Sequence, residues 1–256
     1  MADWATSEDG THIAWSQHGT GEPLLLISGQ AVDSSSWEAV LPDFAAEYRV
    51  ITFDHRGVGH SDPGPDIGYS THSFARDAIA VLDAAGASVA HVYGHSMGGR
   101  IAQWVAINHA ERVASLILGA TTGGDERGVE RSGSATADLL SGEPDLLARL
   151  FFRSGEQRVD ARAFFASTAS THARRLHFAA SRDHDAWDEL ASIVAPTLVI
   201  HGSEDELTPA ENGRRIAAAI PGAEFELRRG YRHGYFLEDP EATAAVLGFM
   251  AKHPLR

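Results

Sequence analysis

Along the chain, short runs of Val, Ile and Leu alternate with longer stretches in which apolar residues return every three or four positions. The first pattern predicts strands buried on both faces, and the second predicts amphipathic helices that cover them. Candidate strands fall at residues 24–28, 50–54, 90–94, 114–119, 197–201 and 224–227, and candidate helices at 37–48, 71–85, 97–109, 210–220 and 240–252. Strand and helix take turns, which is the order of an α/β domain with a mostly parallel sheet flanked by helices. Residues 11–18 read as a further strand, in an antiparallel leading pair.

That rhythm breaks between residues 123 and 194, where Gly, Ser and charge open a segment that regains helical spacing at 146–152, 161–169 and 174–180. No strand candidate falls there. A structureless connection of that length is uncommon inside a compact domain. The expectation is a helical cap insertion, residues 123–194, on a core made of residues 1–122 and 195–256, with Pro196 restarting the sheet.

Composition narrows the classes of partner. A chain of 256 residues, 43% of them hydrophobic, can bury a large single core. Its formal net charge of -14 argues against a nucleic-acid partner, which needs clustered Lys and Arg to displace counterions. With no Cys the chain needs no oxidising compartment to fold, and residues 1–11 lack the basic flank and apolar run of a secretory signal. The apolar runs fall far short of the ~20 residues that span a membrane. A cytoplasmic protein acting on a small molecule, with neither nucleic acid nor membrane as partner, is expected; monomer and homodimer both stay open.

The chemistry gathers at three places. Residues Gly94-His95-Ser96-Met97-Gly98-Gly99 form G-x-S-x-G between a strand candidate and a helix candidate. So sharp a turn needs glycines on either side, leaves Ser96 at its apex, and aims the helix N-terminus at an oxyanion forming beside it. A serine hydroxyl must hand its proton to a base. Of 14 His residues, His233 lies in the loop between the last strand candidate and the final helix, from which it can reach back over the strand ends. His95 is expected to hold the turn instead, and His201 to serve in the core or as support. The base in turn needs a carboxylate, and Glu204, Asp205 and Glu206 all lie just past the strand 197–201, on the sheet edge where such folds bind ligands.

With these motifs in place the chain resembles the α/β-hydrolase superfamily over nearly its whole length. Ser28-Gly29-Gln30 with Trp37 downstream is similar to that family's His-Gly-x oxyanion loop, and residues 54–61 are similar to its D-x-R-G-x-G-x-S turn. Residues 94–99 resemble its nucleophile elbow; 202–209 and 231–233 resemble its acid and base loops. The resemblance implies a triad of Ser96, Asp205 and His233 in the chain order this fold uses. It also implies an oxyanion hole made by the backbone N–H groups of Gln30 and Met97, with Ser28 standing where the family usually has His. Asp54, Arg56, Gly57 and Gly59 are expected to build a structural turn. Within the superfamily, Ser96-Met97-Gly98-Gly99 with Gln103-Trp104 and residues 116–122 most resemble 3-oxoadipate enol-lactonases and the cofactor-free haloperoxidase or perhydrolase group.

The implied function is hydrolysis of a carboxylic ester or lactone through an acyl-enzyme, for which no metal or organic cofactor is required. Two other readings keep the same residues: a ligand sensor with slow turnover, and perhydrolysis or cofactor-free oxygen chemistry. In the cap, Phe151, Phe152, Phe164, Phe165 and Phe178 suggest an apolar roof, and His172, Arg174, Arg175, His177 and His184 are candidates to meet an anionic substrate, although a solvated helix face is the commoner fate of such residues.

Overall fold

The computed structural model describes residues 2–153, 160, 164–165 and 168–255. Its strands are β1 (Asp3–Thr6), β2 (His12–His18), β3 (Pro23–Ile27), β4 (Arg49–Phe53), β5 (Ala90–His95), β6 (Val113–Gly119), β7 (Thr197–Gly202) and β8 (Glu224–Arg228). They form one sheet in the order β1-β2-β4-β3-β5-β6-β7-β8. β1 and β2 pair antiparallel, β2 meets β4 antiparallel, and every later pairing is parallel. The fold is therefore α/β with a mostly parallel sheet, as the alternating pattern implies.

Period-two alternation explains why the strand runs read as continuously apolar. Leu24 and Leu26 of β3 face one core, with Ile117, Leu198 and Ile200, while Leu25 and Ile27 face the other, with Leu116, Leu118 and Val199. The helices described are α1 (Leu41–Ala45), α2 (Thr71–Ala84), α3 (Met97–Asn108), α4 (Gly133–Ser141), α5 (Pro144–Phe151), α6 (Thr171–Arg182), α7 (Glu211–Ala219), α8 (Tyr235–Glu238) and α9 (Pro240–Ala251), of which α1, α2, α3, α7 and α9 pack on the sheet. Their ends are locally encoded. Ser70 and Ser73 close a reciprocal capping box on α2, Ser170 caps α6, and Asp239 caps α9 just before Pro240.

One element departs from its expected length. The helix expected over 37–48 is instead a 3-10 turn, Ser34–Trp37, followed by the five-residue α1. Pro42 explains the break, because it lacks an N–H and fits only the first turn of a helix. Between β6 and β7 the described residues hold α4, α5 and α6, and the only pairing of strand type recorded there is an isolated bridge of Gly124 with Asp185. Helical spacing at 146–152 and 174–180 corresponds to α5 and α6, α4 lies where the sequence shows no helical spacing, and most of 161–169 lies outside the described residues.

The turn after β4 is tied down by charge. Arg56 donates from Nε and Nη2 to Asp77 on α2, at 2.8 and 2.6 Å, and from Nη1 to Asp9 at 2.7 Å. Both Arg56 and Asp77 are buried. Asp54 accepts from the backbone N–H groups of Ser34 and His60, each at 2.9 Å, so the 54–61 turn braces the segment that follows β3. Replacing the guanidinium leaves a buried carboxylate without its counter-ion. Arg56→Met is expected to lower the free energy of unfolding by about 3–5 kcal/mol, measured by urea denaturation; a loss under about 1 kcal/mol, the level of an exposed pair, would remove the pair from any structural role.

Candidate active site

Ser96 sits where β5 turns into α3, with φ 59° and ψ -120°, a backbone conformation rare outside glycine. The turn is held by Ser96 N–H donating to Gly119 O at 2.8 Å and by Thr121 Oγ1 donating to Ser96 O at 2.8 Å. Its glycines are required by space. A Cβ on Gly94 would lie 2.1 Å from Gly98 O, and one on Gly98 would lie 2.1 Å from Ile27 O. Met97 opens α3, so its N–H has no acceptor within the helix.

His233 and Asp205 meet across the ends of β7 and β8. His233 Nδ1 lies 2.7 Å from Asp205 Oδ2, both side chains being buried. Asp205 Oδ1 accepts from the N–H groups of Leu207 and Thr208 at 2.9 and 2.8 Å, which fixes the carboxylate's orientation. Burial alone would raise its carboxyl, but the neighbouring His233 and His201 outweigh burial and hold it well below the usual carboxylate range. An ionised Asp205 keeps the proton of His233 on Nδ1 and leaves Nε2 free to accept another. Glu204 and Glu206 are exposed, and Glu206 pairs with Arg232 at 3.1 Å. Of the three candidate acids, only Asp205 is placed on the histidine.

Neighbouring histidines hold the surrounding loops. His95 Nε2 donates to the carbonyl of His233 at 2.9 Å, so His95 fixes the loop of its neighbour and not a reacting proton. His201 Nε2 lies 2.6 Å from Thr208 O and 3.2 Å from Asp205 Oδ2, behind the acid. His55 Nε2 donates to Ser28 O at 2.9 Å. Ser28 also takes part in a hydroxyl chain, accepting from Ser36 Oγ at 3.1 Å and donating to Asp33 O at 3.3 Å. This chain supports the Gly29–Gln30 segment where a histidine side chain is absent.

Ser96 and His233 line one cavity of about 90 Å³, with Gly29, Gln30, Trp37 and Phe236. Of the cap phenylalanines, Phe151 and Phe164 line it too, and Phe151 stands edge-on to His233 with ring centroids 4.8 Å apart. Phe178 faces an adjoining cavity of about 240 Å³, Phe165 packs on Phe151, and Phe152 belongs to the core. The basic cap residues that are candidates to meet an anion have other surroundings. His172 meets Asp66 at 2.9 Å, Arg174 donates to Ala169 O, and Arg175 is exposed. His184 is buried against Thr71, Gln103 and Trp104. His177 accepts from Ala31 N–H at Nδ1 (3.4 Å) and donates from Nε2 to Arg56 O (2.9 Å), thereby joining α6 to the segment beside Gln30.

Two charged residues of the cavity are not singled out by sequence reading. Arg100 and Arg131 line both cavities. Arg100 follows Ser96 by one helical turn, a spacing that could have revealed it. Arg131 lies in the segment before α4 and carries no local signal.

An elbow serine and a histidine–aspartate pair thus open on one cavity at the carboxyl edge of the parallel part of the sheet. Residues 22–129 match the family model described as alpha/beta hydrolase fold. A Mycobacterium tuberculosis protein named as a non-heme bromoperoxidase, BpoC, is 31% identical, the match covering 94% of this chain and 98% of that one. A protein of Azorhizobium caulinodans named as a carbamate hydrolase, RutD, is also 31% identical, over 91% of this chain and 92% of its own. Among solved structures, the esterase RhEst1 from Rhodococcus sp. ECU1013 superposes with a TM-score of 0.84 at 29% identity, covering 99% of both chains. The chain belongs to the α/β-hydrolase family of enzymes. No described helix is long and apolar enough to cross a membrane.

Burial drives both His95 and His177 down to about 3 from an ordinary 6.5. Between these values the unfolded chain binds protons that the folded chain refuses, so stability is complete above pH 6.5 and is lost as pH falls toward 3. Each histidine should contribute a slope of about 1.4 kcal/mol per pH unit within that window. Urea unfolding across the window is expected to show the decline, and His177→Gln is expected to flatten it by one proton's worth; an unaltered slope would exclude His177 as a source.

Proposed function

We propose that the protein hydrolyses a small carboxylic ester or lactone through an acyl-enzyme on Ser96. The observation that carries this reading is the 2.7 Å contact of His233 with an ionised, doubly anchored Asp205, at the wall of the cavity into which Ser96 opens. Ser96 Oγ attacks the substrate carbonyl while His233 Nε2 takes the hydroxyl proton, and Asp205 stabilises the imidazolium so formed. The N–H groups of Met97 and Gln30 receive the oxyanion. Collapse expels the alcohol, which leaves with the proton from His233. Water then gives a proton to the same nitrogen and attacks the acyl group, and the acid departs with Ser96 restored. The described residues of the segment 123–194 serve as the cap over this site, with Phe151 and Phe164 excluding water from the acyl group.

A second reading rests on the likeness to a protein named as a bromoperoxidase. Hydrogen peroxide in place of water would release the acyl group as a peracid, a step the same three side chains can serve. Bromination of a dione dye that requires both peroxide and a carboxylic acid would favour it. A third, that of a sensor, demands near-single turnover.

Ser96→Ala is expected to reduce hydrolysis of a chromogenic acetate or butyrate ester by at least about 10³-fold, and Asp205→Asn by about 10³–10⁴-fold through the wrong tautomer of His233. Multiple turnovers in the wild type, with a burst equal to the enzyme concentration, complete the test. Wild-type rates in the Ser96→Ala protein would remove Ser96 from the chemistry, and a burst without turnover would favour the sensor.

A further inference from the structure

The two cavities beside Ser96 adjoin along a shared wall made by Gln30, Arg100, Arg131, Ser181, Leu207 and Thr208. Around the inner one, into which Ser96 and His233 open, the charged or titratable lining groups are Arg100, Arg131, His95 and His233, and no carboxylate lines it among the described residues. In a chain of net charge -14 this is an inversion of sign at the place where substrate must sit. Asp125 and Glu130 appear only around the outer cavity, where Arg182 also lies, itself paired with Asp183 at 2.7 Å.

The two arginines are not equivalent. Arg100 is buried and already satisfied: it donates to Asp125 Oδ1 at 2.8 Å and to the carbonyl of Ser181. Arg131 is half-buried and, among the described residues, has no hydrogen-bond or ion-pair partner. Burial weakens the hold of Arg100 on its proton, Asp125 works the other way, and the charge of Arg131 adds a smaller push in the direction of burial. A half-buried guanidinium with no protein partner among the described residues, close enough to a second positive charge to feel it, is placed to receive an anion.

We propose that Arg131 is the docking point for a carboxylate carried by the substrate, so that the ester or lactone cleaved at Ser96 is an anionic one. This inference rests on the hydrolase reading of Ser96 and His233. Arg100 holds the wall of the subsite and adds a second positive charge, and Leu139, Phe151, Phe164 and Phe236 sheathe the apolar chain between carboxylate and carbonyl.

The test compares methyl hydrogen adipate with methyl hexanoate, which share an acyl length, and the acetate ester of 4-hydroxybutyrate with butyl acetate, which moves the charge to the alcohol side. Hydrolysis is followed by titration at constant pH. In one arm or the other, the anionic member is expected to show at least a tenfold higher kcat/KM, residing in KM, and the arm identifies the half of the substrate that carries the charge. Arg131→Gln is expected to collapse that preference at least tenfold, and Arg131→Lys to restore part of it. Equal rates for charged and neutral esters in both arms, or a preference that survives in Arg131→Gln, overturns the proposal while leaving the hydrolase reading intact. Calorimetric titration with adipate and with 4-hydroxybutyrate reads the subsite without turnover. Binding that is weakened at least tenfold in Arg131→Gln supports it, even if every ester fails; equal binding in both proteins, or none, overturns it.

Discussion

The site depends on how closely β5 and α3 pass the end of β3. A Cβ on Gly98 would enter the carbonyl of Ile27, so the helix that follows Ser96 can reach the sheet only because residue 98 has no side chain. That approach brings the elbow beside Ser28, Gly29 and Gln30, and it forces Ser96 into a positive φ that lifts the hydroxyl clear of its buried neighbours. The cost of that strained conformation is offset by hydrogen bonds to Gly119 and Thr121 and by the packing of Ile101, Ala102 and Val105 beneath it.

Around this fixed point the loops are joined by buried imidazoles. His55, His95, His177 and His201 each approach a backbone carbonyl of a loop next to the cavity, those of Ser28, His233, Arg56 and Thr208. A neutral imidazole can donate from one nitrogen and accept at the other, so a single side chain can link two segments that have no ladder between them. His177 does this between the 54–61 turn and Ala31. The chain has no cysteine, and these imidazoles join loops that in other proteins are often tied covalently.

The sheet was legible because its central strands are apolar on both faces and are punctuated by Gly, Pro and charge. The antiparallel leading pair is legible through β2, but the bounds of β1 are not, because four residues with only Ala5 buried carry too little pattern; apolar spacing from Trp37 to Tyr48 suggests one helix that Pro42 divides. The elbow serine could be read from its local frame, and His233 from its place after the last strand. The choice among Glu204, Asp205 and Glu206 could not be made from the residues themselves, since three adjacent acids differ only in which one the loop turns inward. Burial of Asp205, with its two backbone donors, is a tertiary fact. The fate of the basic cap residues is tertiary for the same reason: His177 and His184 are absorbed by the core, whereas Arg131 reaches the cavity through the path of a loop.

The position of α7 carries a lesson for anyone altering this enzyme. Residue 213 lies on the outer helix, yet a methyl group there would come within 2.6 Å of Nδ1 of His201, the ring that backs Asp205. Enlarging that remote glycine would press on the acid from behind, so the tuning of the carboxylate is open to change from the molecule's periphery, with nothing inside the cavity touched.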